Sequence, residues 1–253
     1  MTKDTLQTII STASVDSSLS LVQQLAEFGM QVYTFPMIEV LPIQKSLEIK
    51  HALSSIFEYH WIIFTSKFGV QYFFETLHAY SHAYELPPHI RIACVGQKTA
   101  DVLVRYNHNA SYVCPHNNAD DFSNELRRMF EHDSVRVLFP TGNLTQNMIP
   151  LRMPQSVTID KIIVYNTNSP RSYNPKIFEL IAAKQYSYIV FTSPSGVANF
   201  VSFFKDVLPI SELRAVSIGP ATTKKLEEFG FALILQAQEY NYSGIIAAII
   251  SQK

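Results

Sequence analysis

One phrase occurs twice in this chain, and it constrains the fold more than any other feature. Ile62-Ile63-Phe64-Thr65-Ser66-Lys67-Phe68-Gly69-Val70 returns 127 residues later (189 − 62) as Ile189-Val190-Phe191-Thr192-Ser193-Pro194-Ser195-Gly196-Val197. A second phrase follows each copy: Cys94-Val95-Gly96-Gln97-Lys98-Thr99-Ala100 answers to Ser217-Ile218-Gly219-Pro220-Ala221-Thr222-Thr223. Each is an apolar, strand-like run that ends in hydroxyls or glycine and leads into a helical pattern. The repeat therefore predicts two similar α/β domains with parallel sheets. Such folds keep their ligands at the carboxyl ends of the strands, where the matched Thr, Ser and Gly fall.

Strand and helix patterns alternate along the rest of the chain. Strands are predicted over 7–12, 30–35, 60–65, 90–95, 111–114, 135–139, 157–167, 188–192, 214–218 and 232–235. Helices are predicted over 17–28, 45–57, 67–78, 97–107, 119–131, 176–184, 195–205, 221–229 and 242–251, with room for only two turns over 144–152. Ser17 and Ser18 are candidate N-caps of the first helix, and Gly29 is a natural left-handed stop. The second copy of the phrase has only one helix before it after the polar stretch 168–175, so its sheet needs further strands. The opening strand–helix–strand unit has no sheet of its own. The economical layout starts in one domain, crosses near 36–42, builds the other, and crosses back near 165–175. Domain A is then 1–36 plus 168–253, domain B is 37–167, and a cleft separates them.

Composition excludes several function classes. With 47% hydrophobic and 16% charged residues the chain can fill two cores and is not a disordered one. A net charge of −1, from 20 basic and 21 acidic residues, provides no field to hold nucleic acid. No apolar run is long enough for a membrane span, and the polar start does not read as a signal peptide. Cys94 and Cys114 lie in apolar, strand-like contexts, which suits a reduced cytoplasmic protein. The sequons at Asn109, Asn143 and Asn241 then carry no meaning.

The candidate site residues follow from the repeats. Ser66 and Ser193 place hydroxyls beside unpaired helix N–H groups, a neutral device for holding carboxylate or phosphate. They read equally as simple N-caps, but two copies in matched positions favour binding. Gly96 with Thr99, and Gly219 with Thr222, repeat the device, glycine allowing close backbone approach. Gly142-Asn143 is a third candidate loop, or an ordinary turn. Arg91 and Arg214 stand at strand starts, and Lys224 and Lys225 on an exposed helix face. Tyr165 ends an apolar run where the chain crosses between domains; it reads as a phenol facing the cleft or as a half-buried structural tyrosine. His78 and His82 have the spacing of two metal ligands on a helix but lack a third. Neither a dinucleotide fingerprint, a Gly-Lys-Ser/Thr phosphate loop nor a nucleophile elbow occurs, which disfavours nucleotides and hydrolase chemistry.

The order of these motifs resembles uroporphyrinogen-III synthases. The likeness is carried by the two Phe-Thr-Ser phrases, Val95-Gly96-x-x-Thr99-Ala100, Leu138-Phe139-Pro140-x-Gly142-Asn143, Val164-Tyr165-x-Thr167, Ile218-Gly219-Pro220-Ala221-Thr222 and the closing Tyr242-Ser243-Gly244. It implies two flavodoxin-like domains joined by a two-stranded β ladder. It also implies a cofactor-independent, metal-free lyase of haem biosynthesis that closes hydroxymethylbilane to uroporphyrinogen III with inversion of ring D. By resemblance Ser66, Thr99, Ser193, Arg214 and Thr222 contact substrate, with neighbouring backbone amides, and Tyr165 assists loss of the terminal hydroxyl. A monomer that receives its substrate by transient hand-over from hydroxymethylbilane synthase is expected. The substrate's eight carboxylates suit hydroxyls and helix N-termini, without concentrated lysines. The chain departs from many relatives at Ile10-Ser11-Thr12-Ala13, where they have Thr-Arg, and in the short 151–157 segment. The alternative is a non-catalytic two-domain binding or sensing module for a small polycarboxylate.

Overall fold

The computed structural model describes residues 7–43, 46–116 and 118–252. The chain opens with β1 (Gln7–Ser11), α1 (Val15–Ala26), β2 (Met30–Thr34), β3 (Glu39–Pro42) and α2 (Leu47–Ser54). It continues through β4 (Trp61–Phe64), α3 (Lys67–Ser81), β5 (Arg91–Cys94), α4 (Gln97–Leu103), β6 (Tyr112–Val113) and α5 (Ala119–Met129). Next come β7 (Val135–Gly142), α6 (Met148–Arg152), β8 (Val157–Asn168), α7 (Pro175–Ala182) and β9 (Tyr188–Phe191). The last elements are α8 (Pro194–Phe204), β10 (Arg214–Ser217), α9 (Pro220–Glu228), β11 (Leu233–Gln236) and α10 (Tyr242–Ile250).

Three boundaries differ from the sequence pattern for local reasons. The helix expected over 45–57 is α2, which starts at Leu47 behind the Ser46 cap and is followed by a 3-10 turn at Ile56–Glu58; Lys45 lies outside the described residues. The helix expected to reach Asn107 tightens to 3-10 at Val104–Tyr106, and Asn107 closes it at φ 59°. Neither Ser17 nor Ser18 caps α1, which starts earlier, with Ser14 at its cap position. Ser18 is fully buried and its Oγ lies 2.8 Å from Ser11 Oγ, so it ties the helix to β1 instead. Gly29 does take the left-handed conformation (φ 70°) past the end of α1, its N–H donating to Ala26 O.

The chain forms two compact units, Met1–Glu39 with Asn168–Lys253, and Val40–Thr167. In unit 1 the five strands run parallel in the order β11-β10-β9-β1-β2. In unit 2 the order is β3-β8-β7-β4-β5-β6, with β8, β7, β4, β5 and β6 all parallel to one another. Strands buried on both faces need apolar residues at every position, which explains their unbroken hydrophobic runs. Phe64, Ile62 and Cys94 of unit 2 pack on one face, while Trp61, Ile63 and Cys114 pack on the other. Ile10, Ile189 and Phe191 of unit 1 likewise oppose Ile9 and Val190.

The strand orders show how the repeat is built. In unit 2, β7, β8, β4, β5 and β6 hold the places that β1, β2, β9, β10 and β11 hold in unit 1. Starting points agree: β7 begins 128 residues after β1 (135 − 7), β8 127 after β2 (157 − 30), and β9 127 after β4 (188 − 61). The chain is thus two tandem five-strand copies that have exchanged their first two strands. The opening strand–helix–strand unit therefore has a counterpart, β7-α6-β8. Sequence alone hid it, because α6 has five residues where α1 has 12.

Candidate functional site

Unit 2 gathers its candidate residues at the carboxyl ends of β4, β5, β7 and β8. Ser66 is the N-cap of α3, its Oγ accepting from Gly69 N–H at 2.9 Å. The same oxygen shares a 3.0 Å hydrogen bond with the Tyr165 hydroxyl. Tyr165 is 8% exposed, and its ring packs beside Phe68 and Tyr72 with centroids 5.9 and 5.8 Å away. Burial raises the phenol above its ordinary pKa and the bond to Ser66 works against this, so near neutral pH the group is a protonated donor.

A bulge aims this tyrosine. Thr141 pairs with Ile163 but Gly142 pairs with Tyr165, so Val164 is an extra residue in β8. Gly142 leaves room for the ring, since a Cβ there would lie 2.4 Å from Tyr165 Cε2. Asn143 N–H donates to Tyr165 O, and Asn143 Oδ1 accepts from Thr167 N–H at 2.8 Å. Gly142 and Asn143 thus clamp the tyrosine's backbone and ring. After β5, Gly96 O accepts from the N–H groups of Thr99 and Ala100, and Thr99 is 5% exposed.

Unit 1 carries a parallel set. Ser193 Oγ accepts from Gly196 N–H at 3.1 Å and lies 3.2 Å from Ser195 Oγ. Thr12, at the end of β1, is buried and donates to Val190 O at 2.8 Å. Gly219 O accepts from Thr222 and Thr223 N–H, and the Tyr240 ring covers Gly219, where a Cβ would meet Tyr240 Cδ1 at 3.0 Å.

Arg214 is not part of this set. It stands at the amino end of β10, the far end from Gly219, and a four-residue strand spans about 13 Å. Its guanidinium donates to Tyr186 O and lies over the Tyr186 ring. The arginine anchors the start of the strand. His78 and His82 do not form a metal pair either: His78 stacks on Tyr84, and His82 is the left-handed C-cap of α3. Among the described residues no group of three or more His, Cys, Asp or Glu could hold a metal ion, and no helix is long and apolar enough to cross a membrane.

A family model described as "Uroporphyrinogen-III synthase HemD" matches residues 20–247. The chain belongs to this family. It is 27% identical to the uroporphyrinogen-III synthase of Synechococcus elongatus, over 96% of this chain and 94% of that one. It is also 27% identical to a "Porphyrin biosynthesis protein HemD" of Ruminiclostridium josui over 90% of this chain, but spans only 45% of that longer protein. The crystal structure of uroporphyrinogen-III synthetase from Helicobacter pylori has the same fold (TM-score 0.65, 16% identity, 98% of this chain and 100% of that one).

Against this family background, two residues stand out that motif reading passed over as candidates. Lys67 and Lys98 are exposed in the first turns of α3 and α4, beside Ser66 and Thr99. Lys67 Nζ lies 4.9 Å from the centre of the Phe68 ring, next to Tyr165. In unit 1 the same repeat positions are Pro194 and Ala221, so only unit 2 adds cations to its hydroxyls. Comparing the two phrases position by position, rather than for their shared letters, is the signal that finds them.

Proposed function

We propose that this chain cyclises hydroxymethylbilane to uroporphyrinogen III, with inversion of ring D and loss of water. The observation that carries the reading is the Ser66–Tyr165 hydroxyl pair, held at the strand ends by the Gly142 bulge. Electron-rich pyrroles can expel the terminal hydroxyl when a donor protonates the leaving oxygen. Tyr165 supplies that proton, with Ser66, which stays half-exposed, as its neighbour on the accessible side. The azafulvenium so formed is attacked by the substituted carbon of ring D. The spirocyclic intermediate fragments and recloses, and the proton lost from the closing carbon restores the phenol. Water is the only other product. Most of the catalytic effect is then positioning, because ring D must be held so that this attack outruns simple closure to the type I isomer.

The carboxylates of the substrate are assigned to Ser66, Thr99 and the amides at Gly96, with Lys67 and Lys98, in unit 2. In unit 1 they are assigned to Ser193, Gly219 and Thr222. Gly142 and Asn143 act through Tyr165. Both sheets read as flavodoxin-like, since β1, β2, β9, β10 and β11 follow the order 2-1-3-4-5 and unit 2 repeats it in permuted form. The adjacent strands β3 and β8, which pass between the units, read as the connecting ladder. The reading also takes the protein as a cofactor-free monomeric lyase of the cytoplasm, fed by hydroxymethylbilane synthase; the two buried free thiols suit a reducing compartment.

The test is an isomer assay. Porphobilinogen and hydroxymethylbilane synthase are incubated with the protein, the products are oxidised, and the porphyrin isomers are separated. Type III porphyrin is expected in excess over the control. Type I product alone would remove the activity and leave a polycarboxylate-binding module.

A further inference from the structure

We infer that Lys161 is a positioning residue: from within β8 it holds the β7–α6 loop that fixes Tyr165. Its Nζ donates to Thr145 O at 2.7 Å and to Asn147 Oδ1 at 2.6 Å. Both acceptors lie in the connection from Gly142 to Met148, whose first residues, Gly142 and Asn143, clamp the tyrosine. The second acceptor is the informative one. Asn147 occupies the cap position of α6, where an asparagine ordinarily accepts from a helix N–H. Here its side chain makes no cap bond, and the oxygen goes to the lysine instead. A five-residue helix thus gives up a stabilising cap so that the ammonium has a second acceptor.

An unbroken set of contacts leads from the ammonium to the phenol. Thr145 N–H donates to Gly142 O at 3.1 Å, and the Thr141 hydroxyl donates to the Thr145 hydroxyl at 2.5 Å. Gly142 makes room for the Tyr165 ring, and Asn143 N–H donates to Tyr165 O. The loop is therefore tied to β8 twice, at Lys161 and again at Tyr165 and Thr167. A lysine suits the first tie, because its flexible stem carries rotatable donors from the strand to the loop. The other copy of the repeat marks the contrast. By the offset of β8 on β2 the counterpart of Lys161 is Thr34 (161 − 127), which pairs with Ser11 as Lys161 pairs with Phe139. In unit 1, α1 starts four residues after β1 ends (15 − 11), whereas α6 starts six after β7 (148 − 142). The longer connection is the one with a lysine on it, and the one beside a bulged tyrosine. Groups that act must be held by neighbours whose own positions are locked, and Lys161 locks this loop.

This role rests on the proposed activity only for its kinetic readout. Lys161→Met keeps the stem and removes the ammonium. With hydroxymethylbilane generated in situ, kcat should fall about threefold to tenfold while KM stays within about twofold, since the loss is felt at the proton donor. In a Tyr165→Phe background the same substitution should change kcat by less than about twofold, because its effect passes through the phenol. A lysine that only stabilised the fold would lower both backgrounds alike. Amide hydrogen exchange at Asn143 and Thr145 should quicken about tenfold in Lys161→Met, with β4 and β5 unchanged. Asn147→Ala, which has no cap bond to lose, should show the same changes at a smaller size. An unchanged kcat, an equal loss in both backgrounds, or unchanged exchange at Asn143 and Thr145 would overturn the assignment. If the wild-type protein makes only type I product, the activity reading falls, and the exchange measurement still decides for or against Lys161.

Discussion

At Tyr165 one phenol combines a core ring with a hydroxyl at the strand ends, and the two parts have different determinants. The ring is placed by packing against Phe68 and Tyr72, the hydroxyl by its bond to Ser66. Tyr165→Phe keeps the first and deletes the second, so kcat should fall about 100-fold, the low end of what a lost proton donor costs, with the thermal midpoint almost unmoved. A wild-type rate would take the tyrosine out of the mechanism. Gly142→Ala makes the complementary test. Its methyl group would sit 2.4 Å from the ring, so the ring must leave its place. We expect about 1–3 kcal/mol of destabilisation from overpacking and a loss of kcat at least as large as that of Tyr165→Phe. An alanine variant with normal turnover would show that the clamp is not needed. Tyr165 itself was legible in the sequence, because it interrupts an apolar run at a crossing. The bulge that aims it was not, since skipping one residue in a ladder leaves no mark on periodicity.

Helix starts raise the question of whether a hydroxyl is there for the helix or for a ligand. Ser66 and Ser193 both accept an N–H bond from the glycine three residues on, so each is a working cap. Capping and binding separate by charge. Ser193→Ala should cost about 1 kcal/mol, measured by urea unfolding, because the Gly196 N–H loses its acceptor. Ser193→Asp restores the cap and suits the helix dipole, so stability should return to within about 0.5 kcal/mol of wild type. The same carboxylate would repel an acidic substrate, and KM should rise about 10-fold or more. If Ser193→Asp binds substrate as well as the wild type, the serine serves the helix alone. The alternation of strands and helices, and the hydroxyls at their junctions, could be read from the sequence. The start of α1 could not, because in a run of serines the burial of Ser18 against Ser11 decides which one is left at the cap. Arg214 was legible as the start of its strand, and only the family resemblance made it a substrate contact; what the sequence did not show is its guanidinium bonded to Tyr186 O.

Over the whole chain, duplication was visible in β4, β5, β9 and β10, whose phrases match. It was invisible in β1–β2 against β7–β8, where the copies share a place in the sheet but few residues. Exchange of those strand pairs leaves the units unequal in a way that governs stability. Unit 2 is one continuous stretch, whereas unit 1 is closed only when Glu39 and Asn168 are brought near each other. Folded unit 2 does this through the neighbouring strands β3 and β8. When it unfolds, unit 1 must instead close a flexible loop of 128 residues (40 to 167), which costs about 4 kcal/mol in chain entropy plus a constant. Phe64 and Phe191 are matched by the repeat and both fully buried, so their alanine variants should each cost their own unit about 3–5 kcal/mol. Calorimetry should then separate the two. Phe191→Ala lowers the transition of unit 1 and leaves that of unit 2 in place. Phe64→Ala lowers unit 2 and takes unit 1 with it, giving one merged transition. A Phe64→Ala protein in which unit 1 still melts at its wild-type temperature would show that closure of the inserted unit contributes nothing to the unit that surrounds it in sequence.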